Sequence, residues 1–443
     1  MAVLELDHTQ AIIAPGQGSQ RVGMGLELAQ ISLAAFRVWR DSDRALFPNR
    51  GCNFSNLVWN GTMEELTRTE NAQPAIIISS LARIAALKEA GLYGKPYWRS
   101  GNSLGFIVAV RDADVIDIEG TVLLGEARGK ALQYVVDTGA PSILMAVQND
   151  EPEVVEQLGK DLCTRFHLYQ ALLNTRNQIV LGGEVTEIEA AKTYVTEHDA
   201  GLGNQLKILP VAAAFHTPLM QSGVSIYEEA VDRLNMKDPV GGLIAGSTLT
   251  PLITIADIRR ALVAQFTTTE NWRGVVEFLR DQGVTTMIEL GEPPTLSDMN
   301  RRLLGGKREK IEMQGITVGW KWEAPIQAEE SELPTLQEKY DSVEEMETFL
   351  EIPAPKTYEG VLLWYCKWTA LRTGQDLKNV DPDGNFVDDL GMDSLDYSVL
   401  RADVQGVFKR LVNEDEAKDN VTPALAAKAT YGLMSADNQS FPS

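Results

Sequence analysis

The sequence predicts an α/β protein with a small all-α domain appended, and three observations carry that expectation. Through about the first 320 residues, short apolar runs alternate with helical apolar patterns, as expected of strands packed under helices. Within that part, residues 142–211 read strand, helix, strand, strand, helix, strand. This βαββαβ order fits a ferredoxin-like subdomain inserted at about 141–212. Between Glu323 and Glu351 ten acids stand against Lys339 alone, in a stretch that opens at Pro325 and closes with Pro353 and Pro355. Such a composition repels itself and buries little, so 323–355 reads as a solvated linker between domains at 1–322 and 356–443.

The elements follow in order. Residues 10–14 form an apolar strand that runs into Pro15-Gly16-Gln17-Gly18, a glycine-rich turn. Residues 75–87 are apolar on every side of a helix, the mark of a buried, central one. The run 96–100 makes a poor strand by pattern. In the insert, strands are expected at 143–147, 167–173, 178–181 and 205–211, and helices at 153–165 and 186–196. Beyond the linker, amphipathic helices at 358–372, near 395–411 and at 423–434 spell a small bundle.

Charge and cysteine usage exclude whole classes of function. Forty basic against 62 acidic residues leave a net charge of −22. A chain so acidic is repelled by nucleic-acid backbones and anionic lipid surfaces. Cys52, Cys163 and Cys366 are scattered with no CxxC pair, so neither a disulfide framework nor a zinc site is expected, and a reducing cytoplasm suits them. The first ten residues lack a basic leader region, and the apolar runs fall far short of the ~20 residues that span a bilayer. A soluble cytoplasmic protein is the expectation.

Gly101-Asn102-Ser103-Leu104-Gly105 matches the G-x-S-x-G pattern, in which a sharp strand-to-helix turn exposes a serine hydroxyl. A plain glycine-rich turn is the competing reading. A serine nucleophile needs a base, and the chain holds four histidines. His8 lies near the terminus, His198 in a polar helix end, and His167 inside an apolar run. His216 falls on a loop just past a strand, where catalytic groups commonly sit. By elimination it is the candidate base, with a structural loop histidine as the alternative.

Five ordered blocks then resemble one family. They are Ile13-Ala14-Pro15-Gly16-Gln17-Gly18-Ser19-Gln20, the Gly101–Gly105 motif, Arg128-Gly129-Lys130, Ala214-Phe215-His216-Thr217-Pro218-Leu219-Met220, and Gln265 upstream of Trp272. Together, over about residues 10 to 320, they are similar to malonyl-CoA:acyl carrier protein transacylases and the acyltransferase domains of fatty acid and polyketide synthases. The resemblance implies an α/β-hydrolase-like core with a ferredoxin-like insert. It implies Ser103 as nucleophile, His216 as general base, and an oxyanion hole from the backbone N–H groups of Gln17 and Leu104. It further implies that the Gln265 backbone carbonyl orients His216 and that Arg128 grips the malonyl carboxylate with its planar fork. Phe215, just before the histidine, goes with malonyl selection. Asn102, Phe106 and Ala213 depart from the common pattern of histidine, glutamate and histidine at those positions, which bears on acyl selectivity.

The second domain carries its own motif. Between Val380 and Leu400 stand six aspartates and no basic residue. Asp381, Asp383 and Asn385 could open a calcium loop, but Phe386 replaces the required glycine and Met392 the closing acid, so no metal is expected. A solvated helix start is the bland reading of these acids. Gly391-Met392-Asp393-Ser394-Leu395 resembles the phosphopantetheine site of acyl carrier proteins, which implies a 4'-phosphopantetheine arm on Ser394. The acidic helix would be a docking face for basic patches on partner enzymes. Arg301, Arg302, Lys307, Arg308 and Lys310 form one such patch, or simply a solvated helix end.

The whole implies an [acyl-carrier-protein] S-malonyltransferase with malonyl-CoA as substrate. The acceptor is a carrier in cis or in trans, and ketosynthase-type enzymes and a phosphopantetheinyl transferase are expected partners. An acyl hydrolase proofreading carriers on the same fold is the rival enzyme, and a scaffold with a worn transferase domain is the rival without chemistry.

Overall fold

The structure is a computed structural model that describes residues 6–198, 200–209 and 211–325, together with Leu362, Tyr365, Cys366, Thr369, Val380, Thr422, Pro423 and Ala426. The chain divides into two units, Met1–Pro325 and Ile326–Ser443. In the second unit Tyr365, Cys366 and Thr369 are helical and buried, and Thr369 Oγ1 donates to the Tyr365 carbonyl at 2.8 Å. The acidic stretch beyond Pro325, the aspartate-rich turn, Ser394 and most of the expected bundle lie outside the described residues.

The strands of the first unit are β1 (Asp7–Ala14), β2 (Pro96–Gly101), β3 (Ser142–Gln148), β4 (Tyr169–Leu173), β5 (Gln178–Glu184), β6 (Leu206–Ile208), β7 (Gly242–Ile244), β8 (Pro251–Leu252), β9 (Thr286–Glu289), β10 (Lys307–Met313) and β11 (Ile316–Glu323). Seven of them form one sheet in the order β10-β11-β9-β1-β2-β7-β8. Its centre, β9, β1, β2 and β7, is parallel; β8 and β11 run antiparallel to it, and β10 reverses again beside β11. Ala11, Ile12, Ile13 and Ala14 have no exposed surface, because parallel strands are covered by helices on both faces.

β2 corrects a reading of the sequence. Pro96-Tyr97-Trp98-Arg99-Ser100-Gly101 lacks the pattern of a strand, yet it pairs along β1 and ends with Ala14 opposite Gly101. Its polar side chains are satisfied inside the fold: Arg99 meets Asp112 and the carbonyls of Tyr97 and Val240, and Ser100 Oγ donates to the Ile244 carbonyl at 2.9 Å. Buried hydrogen bonds replace apolar character there. The consequence is functional, since β1 and β2 deliver their C-terminal turns side by side, where sites in parallel sheets form.

The other four strands make a separate antiparallel sheet in the order β4-β5-β3-β6. Helices Pro152–Phe166 and Val185–His198 join them in the βαββαβ sequence, and their apolar sides close a core of its own with Val155, Leu162, Ile188 and Ala191. Three boundaries differ from expectation, the first being that β5 runs to Glu184 instead of ending at 181. His167 is not in a strand but caps the first of these helices in the left-handed conformation, φ 52°. The last strand is only Leu206–Ile208.

The helix Thr69–Glu89 is buried along nearly its whole length, and the helix Ile118–Thr138 packs against it. Glycine permits this close approach. A Cβ at Gly129 would sit 2.7 Å from the Thr69 carbonyl oxygen, and one at Gly125 would overlap Ile77. Arg128 lies between these glycines and is thereby carried to the start of the facing helix. Among the described residues no helix is long and apolar enough to cross a membrane.

Candidate active site

Ser103 occupies the turn after β2 with φ 52°, a left-handed backbone that side chains with a Cβ rarely adopt. The surrounding sequence enforces it. A Cβ at Gly101 would overlap the backbone of Gly105, and a Cβ at Gly105 would overlap the carbonyls of Ala14 and Pro15. Both glycines are therefore required by space, and the Asn102 N–H ties the turn to the Ala14 carbonyl at 2.9 Å. The helix Gly105–Asp112 begins at once. The result is a strained strand–turn–helix that pushes one hydroxyl outward, the geometry of a nucleophile elbow.

His216 reaches that hydroxyl from 113 residues away, with Nε2 at 2.7 Å from Ser103 Oγ. It too is left-handed, φ 61°, on the loop between β6 and a short 3-10 helix Pro218–Gly223. Thr217 Oγ1 donates to the Ala214 carbonyl at 2.6 Å, and the Ala214 N–H donates to Ser142 Oγ, so the loop is tied to the inserted sheet. The ring is 5% exposed. Burial first, and the Arg128 cation second, push its pKa down to about 3, against a smaller upward pull from the Gln265 and Thr268 carbonyls. Nδ1 itself closes no hydrogen bond among the described residues. The imidazole is thus neutral and able to accept a proton at ordinary pH.

Arg128 stands over the same hydroxyl. Its Nη2 donates to Ser103 Oγ at 3.1 Å and its Nη1 to Gln73 Oε1 at 2.9 Å. Its Nε has no partner among the described residues. Gln73 in turn leans on Gln17, Nε2 to Oε1 at 3.5 Å, which ties the turn after β1 to the guanidinium. Burial lowers the Arg128 pKa while the nearby Tyr227 and Glu270 raise it, and a guanidinium keeps its proton throughout.

The remaining expected residues are also placed. The backbone N–H groups of Gln17 and Leu104 belong to the two adjacent turns, and neither has an acceptor among the described residues. Gln265 is fully buried just beyond the helix Ile255–Ala264. Phe215 is 8% exposed and joins the main core. Phe106 is buried without any polar demand, so the departure there costs nothing in packing. Gln73, Tyr227 and Glu270 were not singled out from sequence. Gln73 precedes the apolar run 75–87, and Glu270 sits two residues before Trp272, but nothing in their neighbourhoods signals a partner in the distant elbow.

The arrangement can attack a carbonyl, hold a proton on imidazole and hold an anion on a guanidinium. The comparisons agree with such chemistry. Residues 12–237 match the family model described as acyl transferase domain. The malonyl CoA-acyl carrier protein transacylase of Bacillus subtilis (strain 168) is 31% identical over 298 residues, 66% of this chain and 91% of the relative. That of Haemophilus influenzae is 27% identical over 309 residues, 70% of this chain and 94% of the relative. Among solved structures, the acyl-carrier-protein-S-malonyltransferase from Bartonella henselae is 30% identical with a TM-score of 0.60, covering 66% of this chain and 91% of its own. A type II polyketide malonyl-transacylase in complex with its acyl carrier protein matches with 27% identity and a TM-score of 0.60, over 67% of this chain and 93% of the other. A strained Ser103 bound to His216, on a fold and a sequence shared with these proteins, makes the chain a member of the acyl transferase domain family.

Proposed function

We propose that the protein moves malonyl from malonyl-CoA to the phosphopantetheine thiol of an acyl carrier protein, an [acyl-carrier-protein] S-malonyltransferase of fatty acid or polyketide biosynthesis. The 2.7 Å contact between Ser103 Oγ and a buried, neutral His216 is the observation that carries it. Ser103 Oγ attacks the thioester carbonyl while His216 Nε2 takes the hydroxyl proton. The C–S bond breaks, the proton passes to the coenzyme A thiolate, and malonyl remains on Ser103 as an ester. The carrier thiol then reverses the sequence: His216 removes its proton, sulfur attacks the ester, and the proton returns to Ser103.

The N–H groups of Gln17 and Leu104 receive the oxyanion in each half, and Arg128 holds the malonyl carboxylate. A hydrolase of simple acyl chains has no use for a buried cation beside its nucleophile, so Arg128 favours transfer of a carboxylated acyl group. The Gln265 carbonyl stands in for the acid of a triad by favouring the proton on Nδ1. Phe215, just before His216, favours malonyl as the acyl group.

The acceptor includes the chain's own second unit. Support for this is the Gly391-Met392-Asp393-Ser394-Leu395 motif in the unit Ile326–Ser443, with Ser394 as the attachment point of the arm. A carrier on a separate chain, as in the solved polyketide complex, is the other acceptor. With both coenzyme A and carriers as partners, the site of action is the cytoplasm. Ketosynthase-type enzymes would draw on the loaded carrier, and a phosphopantetheinyl transferase would supply the arm.

The test is intact-mass analysis after incubation with malonyl-CoA. One malonyl group on a peptide containing Ser103, discharged by added carrier thiol, is expected. Label that stays on the coenzyme sinks the assignment. Incubation with coenzyme A and a phosphopantetheinyl transferase should add one arm to the wild type and none to Ser394→Ala.

A further inference from the structure

One buried carboxylate of the site takes no part in the transfer steps. Glu270 is 1% exposed, and neither carboxylate oxygen has a hydrogen-bond partner among the described residues. A buried acid without partners is rare, because desolvation is uncompensated. Its backbone is fixed on both sides: the N–H donates to the Ala171 carbonyl and the carbonyl accepts from the Leu173 N–H, both at 2.9 Å. Gly246, two residues past β7, lies so close that a Cβ there would overlap the carboxylate. The side chain therefore stays beneath the elbow and cannot reach solvent.

Few groups face it. From the elbow comes the Ser103 backbone N–H, and from the helix Ile118–Thr138 the Arg128 guanidinium; burial outweighs both and holds the carboxyl pKa at about 7. Arg128 is also the charge felt by His216 and by Tyr227, whose unpartnered hydroxyl comes from the helix Val224–Asp232. Gly246 and the apolar Ala171 and Leu172 bring no charge. Glu270 therefore has a single cation to answer to.

A substrate carboxylate would bring a second anion to that cation in the same dry space. Glu270 makes no hydrogen bond or ion pair with Arg128, yet each feels the other's charge in this buried site. A second carboxylate brought to the same guanidinium therefore cannot stay ionised beside an ionised Glu270 without cost. We propose that Glu270 sets the acyl selectivity of this enzyme by competing, in its ionised form, with the substrate carboxylate for Arg128, and by releasing Arg128 when it is neutral. The inference rests on the reading that Arg128 holds malonyl. The sign follows directly: below about 7 the acid is neutral and malonyl is favoured, and above it the anion opposes malonyl while leaving an uncharged acetyl group indifferent.

The experiment is competitive single-turnover loading of Ser103 in the full-length protein from malonyl-CoA and acetyl-CoA, from about pH 6 to about 8.5. Taking the ratio of the two products cancels titrations shared by both substrates, including His216 and the coenzyme phosphates. In the wild type the malonyl to acetyl ratio should fall about tenfold across that window, and in Glu270→Gln it should stay flat at the low-pH level. A melting curve for E270Q confirms that it folds, and the wild-type profile reads the proposal even if it does not. A flat wild-type ratio, or an E270Q ratio that keeps the slope, overturns the role of Glu270. A wild type that never prefers malonyl at any pH overturns instead the Arg128 reading on which it stands.

Discussion

Arg128 Nη2 donates to Ser103 Oγ at 3.1 Å, while His216 Nε2 holds the same oxygen at 2.7 Å. One hydroxyl thus meets a cation and a neutral base together. Burial first, and then the repulsion of this cation, disfavour a positive charge on the imidazole, so His216 is kept in the acceptor form. The cation also favours a negative charge on the serine oxygen as the proton leaves. In the proposed mechanism Arg128 therefore serves twice, holding the malonyl carboxylate and conditioning the nucleophile.

Ser103→Ala should abolish the malonyl ester while leaving the fold intact. The substitution removes a half-buried hydroxyl from a backbone whose left-handed turn is enforced by Gly101 and Gly105. Mass spectrometry should show no acyl adduct, and the melting temperature should move little. A malonyl ester persisting on the first unit would mean that another residue is the nucleophile.

Arg128→Ala should discriminate between acyl groups. The malonyl carboxylate then enters a buried site without its partner, which costs about 3–5 kcal/mol, whereas acetyl loses little. The malonyl to acetyl ratio of kcat/KM should drop by about two orders of magnitude or more. An unchanged ratio contradicts a carboxylate-reading role.

Gly105→Ala should unfold or badly destabilise the protein. Its Cβ would overlap the backbone carbonyls of Ala14, the last residue of β1, and Pro15, the next residue. Relief requires separating the turn from β1, at a cost above about 3 kcal/mol. Urea denaturation measures it, and a midpoint equal to the wild type would show that the turn is looser than described.

The stability contributed by His216 should depend on pH in a predictable direction. Its pKa is about 3 when folded against an ordinary value of 6.5, so between these values the unfolded chain binds the extra proton. Stability therefore falls as pH drops through that window, by up to about 1.4 kcal/mol per pH unit from this group. A His216→Asn variant should lose part of that slope in denaturation curves taken at several pH values. Equal slopes would place the histidine in a wetter environment.

Much of the site was legible because its local chemistry is written in adjacent residues. Gly101 and Gly105 bracket Ser103, and only glycine fits either place, so the motif itself states the turn. His216 could be found by elimination because just four histidines exist and its loop position is local. The fold class was legible from the alternation of strands and helices, and the order of the inserted sheet followed from its pattern. β2 was not, because its polar side chains are satisfied by Asp112 in the next helix and by the Val240 and Ile244 carbonyls, 141 and 144 residues away.

By itself, then, the sequence determined most of the elements, the glycine-bracketed serine turn and which serine and histidine are the candidates for nucleophile and base, since each rests on local sterics or residue type. The tertiary structure alone decided which charges share the pocket. Gln73 bonds Arg128, and Tyr227 and Glu270 act on its charge, because Gly125 and Gly129 let two helices approach closely and Gly246 leaves space for a carboxylate. Electrostatic coupling in a dry site depends on separation through space and on burial, and neither is encoded in any short stretch of chain.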